Sequence, residues 1–143
     1  MQTGRSAATD PPMQNTDDTR PVLVTGATGY VGGRLVPFLL ARGHRVRAVA
    51  RSLDKLSCRP FAFHPGCELA RADMLDPESL RQALAGCRAA FYLVHSMQSA
   101  GEGFAKADED SARNFAGACA EAGVERIIYL GGLGDEEAGL SHH

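Results

Sequence analysis

At 143 residues the chain is long enough for one domain with a core of its own and too short for two. Apolar residues make up 44% and charged residues 22%, an ordinary balance for a globular protein. A net charge of −2 and the lack of any apolar run of roughly 18 residues exclude an electrostatic case for nucleic acid or membrane partners and exclude a transmembrane helix.

Residues 1–20 carry Thr, Asp, Asn, Gln and Pro11-Pro12 with almost nothing large and apolar. Such a segment buries too little surface to offset its ordering entropy, so a disordered tail is expected there, followed by a domain over 21–143. The tail has no apolar centre and is not a secretory signal, which leaves the cytoplasm as the expected compartment.

Val22 to Thr25 then reads as a buried strand. It runs into a turn built on Gly26, Gly29 and Gly32 and into a helix over about Tyr30 to Ala41. The expected inner face of that helix is Val31, Leu35, Phe38 and Leu39, with Gly43 closing it and Pro37 bending it slightly. A second strand follows over Arg45 to Ala50. Residues 52–66 are irregular, with a helical turn near Leu53 to Leu56, and a third strand spans Glu68 to Ala72. Asp76-Pro77-Glu78-Ser79 starts a helix, with Asp76 as N-cap and Pro77 in the first position. Leu80, Ala83 and Leu84 point inward, and Gly86 ends it. The fourth strand, Ala89 to Val94, is apolar throughout, as a strand covered on both faces must be. A long helix from Phe104 to Ala122 leads into a fifth strand, Arg126 to Leu130.

Strands alternating with helices define an α/β fold, a doubly wound parallel sheet of the Rossmann kind. Right-handed crossovers give the strand order 3-2-1-4-5. Ligands of such sheets bind beyond the carboxyl ends of the strands, and Gly26 to Gly32, Arg51, Asp73, His95 and Gly131 all fall there.

Each glycine of the first turn has a physical reason. Gly26 allows a tight turn off the strand, Gly29 lets backbone amides reach a pyrophosphate, and Gly32 lets the helix pack closely. The anion would sit on the free amides and positive end of the helix. Gly26, Thr28, Gly29, Tyr30, Val31 and Gly32 are therefore the candidate dinucleotide contacts. An NTPase loop is excluded, because the turn ends Gly32-Gly33-Arg34-Leu35, without the lysine and hydroxyl that such a loop needs. Arg51, 19 residues beyond Gly32, stands where an acid would select NAD and a base accommodates the 2′-phosphate, so NADP is the preferred cofactor and NAD the other.

Cys58, Cys67, Cys87 and Cys119 include no C-x-x-C pair and read as reduced thiols. Cys58, His64 and Cys67 lie close together, but their spacing fits no common zinc site and supplies no fourth ligand. No metal is expected.

The G-x-x-G-x-x-G spacing within Val24-Thr25-Gly26-Ala27-Thr28-Gly29-Tyr30-Val31-Gly32 resembles the short-chain dehydrogenase/reductase superfamily, especially its extended and atypical branches. The resemblance implies that Asp73 accepts from the adenine amino group and that Met74 packs on the ring. It implies too that Leu93, Val94 and His95 run along the cofactor ribose. Active members end strand five in serine and carry Tyr-x-x-x-Lys on the next helix. Here that strand ends Tyr129-Leu130-Gly131-Gly132, and none of Tyr30, Tyr92 or Tyr129 has a lysine four residues on. Asp108, Arg113-Asn114-Phe115 and Gly123 to Gly134 narrow the resemblance to the neighbourhood of NmrA-like proteins.

Family members continue well beyond this point, so the chain reads as the amino-terminal part of a longer protein, truncated after strand five. The outer edge of that strand is then expected to favour self-association. The implied function is the NAD(P)-binding domain of an atypical short-chain oxidoreductase with a small-molecule substrate. The alternatives are a non-catalytic NADP sensor of the NmrA type and an NAD-dependent epimerase or isomerase.

Overall fold

The computed structural model describes residues 18–94 and 102–130, the side chains of 102–105 excepted. It shows the expected architecture. Five strands, β1 (Val22–Val24), β2 (Val46–Ala50), β3 (Cys67–Arg71), β4 (Ala89–Tyr92) and β5 (Arg126–Tyr129), form one parallel sheet in the order β3-β2-β1-β4-β5. Val22 pairs with Val46 on one side and Ala89 on the other, so β1 is the central strand from which the two halves wind outward.

Alternation along β1 divides the core. Val22 and Val24 face α1 (Tyr30–Ala41), together with Val36, Leu39, Leu40, Val46, Ala48, Leu56 and Phe61. Leu23 faces the opposite layer with Leu80, Leu84, Ala90, Tyr92, Phe115 and Cys119. That layer consists of α3 (Pro77–Leu84) and α4 (Glu102–Ala122), which pack on each other. Between β2 and β3 lie a short helix, α2 (Leu53–Ser57), and a 3-10 turn over Pro60–Phe63 that was not foreseen. Buried Leu56 and Phe61 pin these two pieces to the sheet.

The start of α3 is built as its sequence requires. Asp76 Oδ1 accepts from the Glu78 and Ser79 amides, Pro77 occupies the first turn, and Leu80, Ala83 and Leu84 are buried. Gly86 follows with φ +78, a conformation that favours glycine.

The inner face of α1 needs correction. Gly32, Val36, Leu39 and Leu40 are buried, whereas Val31 and Phe38 are exposed and Leu35 is half-buried. Arg42 covers the Phe38 ring instead, 4.3 Å from its centroid. Six large apolar side chains surround this helix, so two stripes one residue apart both satisfy the 3.6-residue period. Gly32 decides between them. A Cβ there would stand 2.2 Å from the Gly26 carbonyl oxygen and 2.7 Å from its carbon. The glycine side must therefore be the inner side, and Val36, Leu39 and Leu40 follow it.

Asp18 and Arg20, on the tail side of the expected boundary, are anchored. Arg20 donates to both Asp18 oxygens and to Glu125, ahead of β5. The four cysteines are free thiols, Cys58 exposed and Cys87 and Cys119 buried. Burial pushes the Cys119 thiol up to about 11. Among the described residues no helix is long and apolar enough to cross a membrane, and no cluster of ligating side chains could hold a metal ion.

Candidate functional site

The carboxyl ends of β1, β2, β3 and β4 converge on one cleft, and Thr25 ties its floor together. Fully buried, Thr25 donates through Oγ1 to the Phe91 carbonyl (2.9 Å) and accepts there from the Leu93 amide (2.9 Å). Its own amide also donates to Phe91. These bonds lock β1 to β4 at the point where the chain connections diverge in opposite directions. Sequence reasoning did not single out Thr25, because its partners lie more than sixty residues away.

Above that floor the backbone turns at Gly26, which adopts φ +63; a side chain there would also meet the Leu93 carbonyl at 3.3 Å. The Gly29 amide donates to the Gly26 carbonyl (2.9 Å), and Gly29 is the N-cap of α1 with extended dihedrals. No side chain caps the helix and no acid lies in its first turn, so the first-turn amides have no acceptor within the helix. Gly29, Tyr30 and Val31 are exposed at this end. Bare amides, a positive helix end and glycine where a Cβ would intrude fit a diphosphate. The role of Gly32 is more specific than expected: it lets α1 pack against the turn itself, on Gly26 and Ala27.

Arg51 is exposed at the end of β2 and has no hydrogen bond or ion pair to a described residue. Ser52 caps α2 through its hydroxyl, which holds the segment after Arg51 in place. Arg34 lies on the Tyr30 ring, 4.2 Å from its centroid. Another cation, Arg59, reaches the turn from the bend after α2, and its Nη2 donates to the Thr28 carbonyl. No motif marks Arg59, and only the folding of the α2 segment onto α1 brings it here.

At the end of β3, Asp73 Oδ1 accepts from the Leu75 amide (2.9 Å), which leaves Oδ2 for another donor. Met74 is buried to 8% exposure in the core between the sheet and α3–α4, so most of its side chain is committed there. Its carbonyl accepts from Asn114 Nδ2 (2.9 Å), which ties this corner to α4. Leu93 and Val94 leave β4 half-buried beside Gly26. His95 lies outside the described residues, as do Gly131 and Gly132. Tyr92, one residue before the cleft, is buried with no hydrogen-bond partner for its hydroxyl among the described residues, and burial pushes its pKa up to about 12. An apolar groove of about 540 Å³ runs along the flank of α1, lined by Gly33, Pro37, Leu40, Arg59, Phe61 and Phe63. It meets the cofactor turn only at Gly33 and Arg59.

Fold and cleft together define a dinucleotide-binding α/β domain. Residues 26–142 match the family described as NAD(P)H-binding, and the chain belongs to it. It is 35% identical to cinnamoyl-CoA reductase 1 of Oryza sativa subsp. japonica over 124 residues, 84% of this chain and 36% of that protein. It is 33% identical to dihydroflavonol 4-reductase of Hordeum vulgare, over 80% of this chain and 35% of that one. The structure of Citrobacter sp. triphenylmethane reductase complexed with NADP(H) superimposes with a TM-score of 0.65 at 28% identity, covering 77% of this chain and 37% of that one. The chain is thus an NAD(P)-binding domain homologous to reductases of the short-chain dehydrogenase/reductase kind, and it spans about a third of the length of the relatives it matches.

Proposed function

We propose that this domain binds NADP(H) in preference to NAD(H) and serves an oxidoreductase of the atypical short-chain type. One observation carries the cofactor preference: Arg51 stands at the β2 end of the cleft with its guanidinium uncommitted and no acid paired to it. A guanidinium offers two parallel donors to a phosphate and can stack on adenine, and it offers nothing that a bare 2′-hydroxyl requires. Gly26, Thr28, Gly29, Tyr30, Val31 and Gly32 would hold the diphosphate through backbone amides. Asp73 Oδ2 would accept from the adenine amino group, with the edge of Met74 beneath the ring, and Leu93, Val94 and His95 would flank the ribose. The nicotinamide supplies a hydride when bound; this chain supplies binding and orientation, and no Tyr-x-x-x-Lys pair within it supplies a proton.

Homology to named reductases favours turnover on a carbonyl or conjugated substrate over a purely regulatory role. Four cysteines with no C-x-x-C pair and no disulfide among them, one exposed, favour a cytoplasmic setting. The outer edge of β5, with Ile127, Tyr129 and Leu130 exposed, is the surface through which the 143-residue chain would self-associate.

Fluorescence titration with NADPH and NADH tests the assignment. Saturable binding of NADPH, lost in Gly29→Val while the far-ultraviolet circular dichroism stays unchanged, is the expected result. Equal NADPH affinity in the two proteins would overturn it. Turnover of the whole protein on a carbonyl panel separates enzyme from sensor, since a sensor binds NADPH and oxidises none.

A further inference from the structure

We propose that Arg59 is a positioning residue for the cofactor turn, acting through the Thr28–Gly29 peptide plane. The inference rests on the dinucleotide reading of the cleft and adds a residue that neither the motif nor the family match singles out.

The glycines that make room for a diphosphate also make the turn floppy. A peptide plane beside glycine rotates at little steric cost, and the start of the helix that follows rotates with it. In this molecule the plane is held at both ends. On one side the Gly29 amide donates to the Gly26 carbonyl (2.9 Å). On the other the Thr28 carbonyl accepts from the Arg59 guanidinium. With both atoms of one plane fixed, the chain enters the extended Gly29 in one orientation, and α1 starts at Tyr30 with no side chain capping its first amides.

Arg59 is itself held at its backbone. Its amide donates to the Leu56 carbonyl (3.0 Å) and its own carbonyl accepts from the Ala62 amide (3.0 Å). Leu56 and Phe61 on either side are buried, so the arginine projects from a bend anchored in the core. The guanidinium runs beside the first turn of α1, with Nη1 3.8 Å from where a Gly33 Cβ would lie. No acid lies in that turn and Arg59 forms no ion pair with a described residue. A cation beside the positive end of a helix is electrostatically out of place until an anion arrives. Preorganised donors gain most where ordering would otherwise fall on the binding step.

The test compares wild type, Arg59→Ala and Arg59→Lys in the whole protein. Affinities for NADPH and NADH are measured beside urea midpoints and the amide hydrogen exchange of Gly29 and Tyr30 without cofactor. Arg59→Ala is expected to weaken both cofactors by a similar factor, roughly tenfold, at an unchanged midpoint. Exchange at Gly29 should quicken, and Arg59→Lys, which keeps a cationic donor, should recover part of both effects. Loss confined to NADPH would overturn the proposal in favour of direct phosphate contact, and unchanged affinity and exchange would overturn it outright. If wild type binds neither cofactor, the dinucleotide reading fails instead, and the exchange rates still decide whether Arg59 holds the turn.

Discussion

The two ends of the sheet use the same residue in opposite ways. At the amino ends of the strands Arg20, Arg45 and Arg47 are matched by acids. Arg20 bridges Asp18 and Glu125, and Arg45 and Arg47 share Glu68. Arg47 also donates to the Ala83 and Ala85 carbonyls at 2.6 and 2.7 Å, closing the carboxyl end of α3 where a cation belongs. Arg88 meets His44. At the carboxyl ends Arg51 has no partner among the described residues, and Arg59 has only a backbone carbonyl. Charge compensated within the chain contributes to stability; charge left over attracts an anion. The contrast separates residues that hold the domain together from residues that bind.

The largest expected effect falls where the two roles cannot be separated. Gly32 lies at the ligand end, yet a Cβ on it would drive into the Gly26 backbone at 2.2 Å, and neither atom is a mobile side chain. Gly32→Ala should destabilise the fold by on the order of 3 kcal/mol and abolish cofactor binding with it. A urea midpoint equal to wild type would mean that α1 can lift off the turn.

Next in size is a crossover. Arg47→Ala removes charge-assisted bonds that satisfy two helix-end carbonyls, and it should lower stability by about 2 kcal/mol with NADPH affinity unchanged. Arg51→Ala should do the reverse, weakening NADPH by roughly tenfold or more, leaving NADH nearly unaffected and stability intact. Parallel loss of stability and affinity in both variants would break the contrast between the two ends.

What the sequence discloses divides along a related line. The glycine turn and the Asp76-Pro77 helix start are local features readable from neighbouring residues, and the strand order follows from the alternation of strands and helices under the crossover rule. The α1 face was misjudged even though its signal was present: if Gly32 must pack closely, its side of the helix is the inner one, and Phe38 cannot be. The contacts of Arg59, Thr25 and Asn114 were not legible. Each acts on a backbone carbonyl or amide between 31 and 68 residues away, a partner that exists at every position and so leaves no pattern. Met74 fell between these cases, placed correctly at the strand end but drawn into the core by Leu80 and its neighbours.

The smallest effect belongs to the amino end and needs only a change of pH. Arg88 Nη2 lies 2.7 Å from His44 Nδ1. Arginine has no acceptor, so His44 must accept through an unprotonated Nδ1 and is neutral in the fold. Partial burial, then the charges of Arg88 and Arg42, hold its pKa below the usual 6.5. The unfolded chain therefore takes up this proton before the folded one does. Stability from this group is fully present above pH 6.5 and declines as pH falls from there toward the lowered folded value. Asp18, whose pKa its Arg20 bonds hold near 2, titrates lower still and does not confuse that window. Urea midpoints at pH 7.5 and 5.5 should show a modest drop in wild type and a smaller one in His44→Gln, which keeps an acceptor but cannot titrate. An equal drop in both proteins would show that the loss arises elsewhere, and that the pairing of His44 with Arg88 does not keep the imidazole neutral.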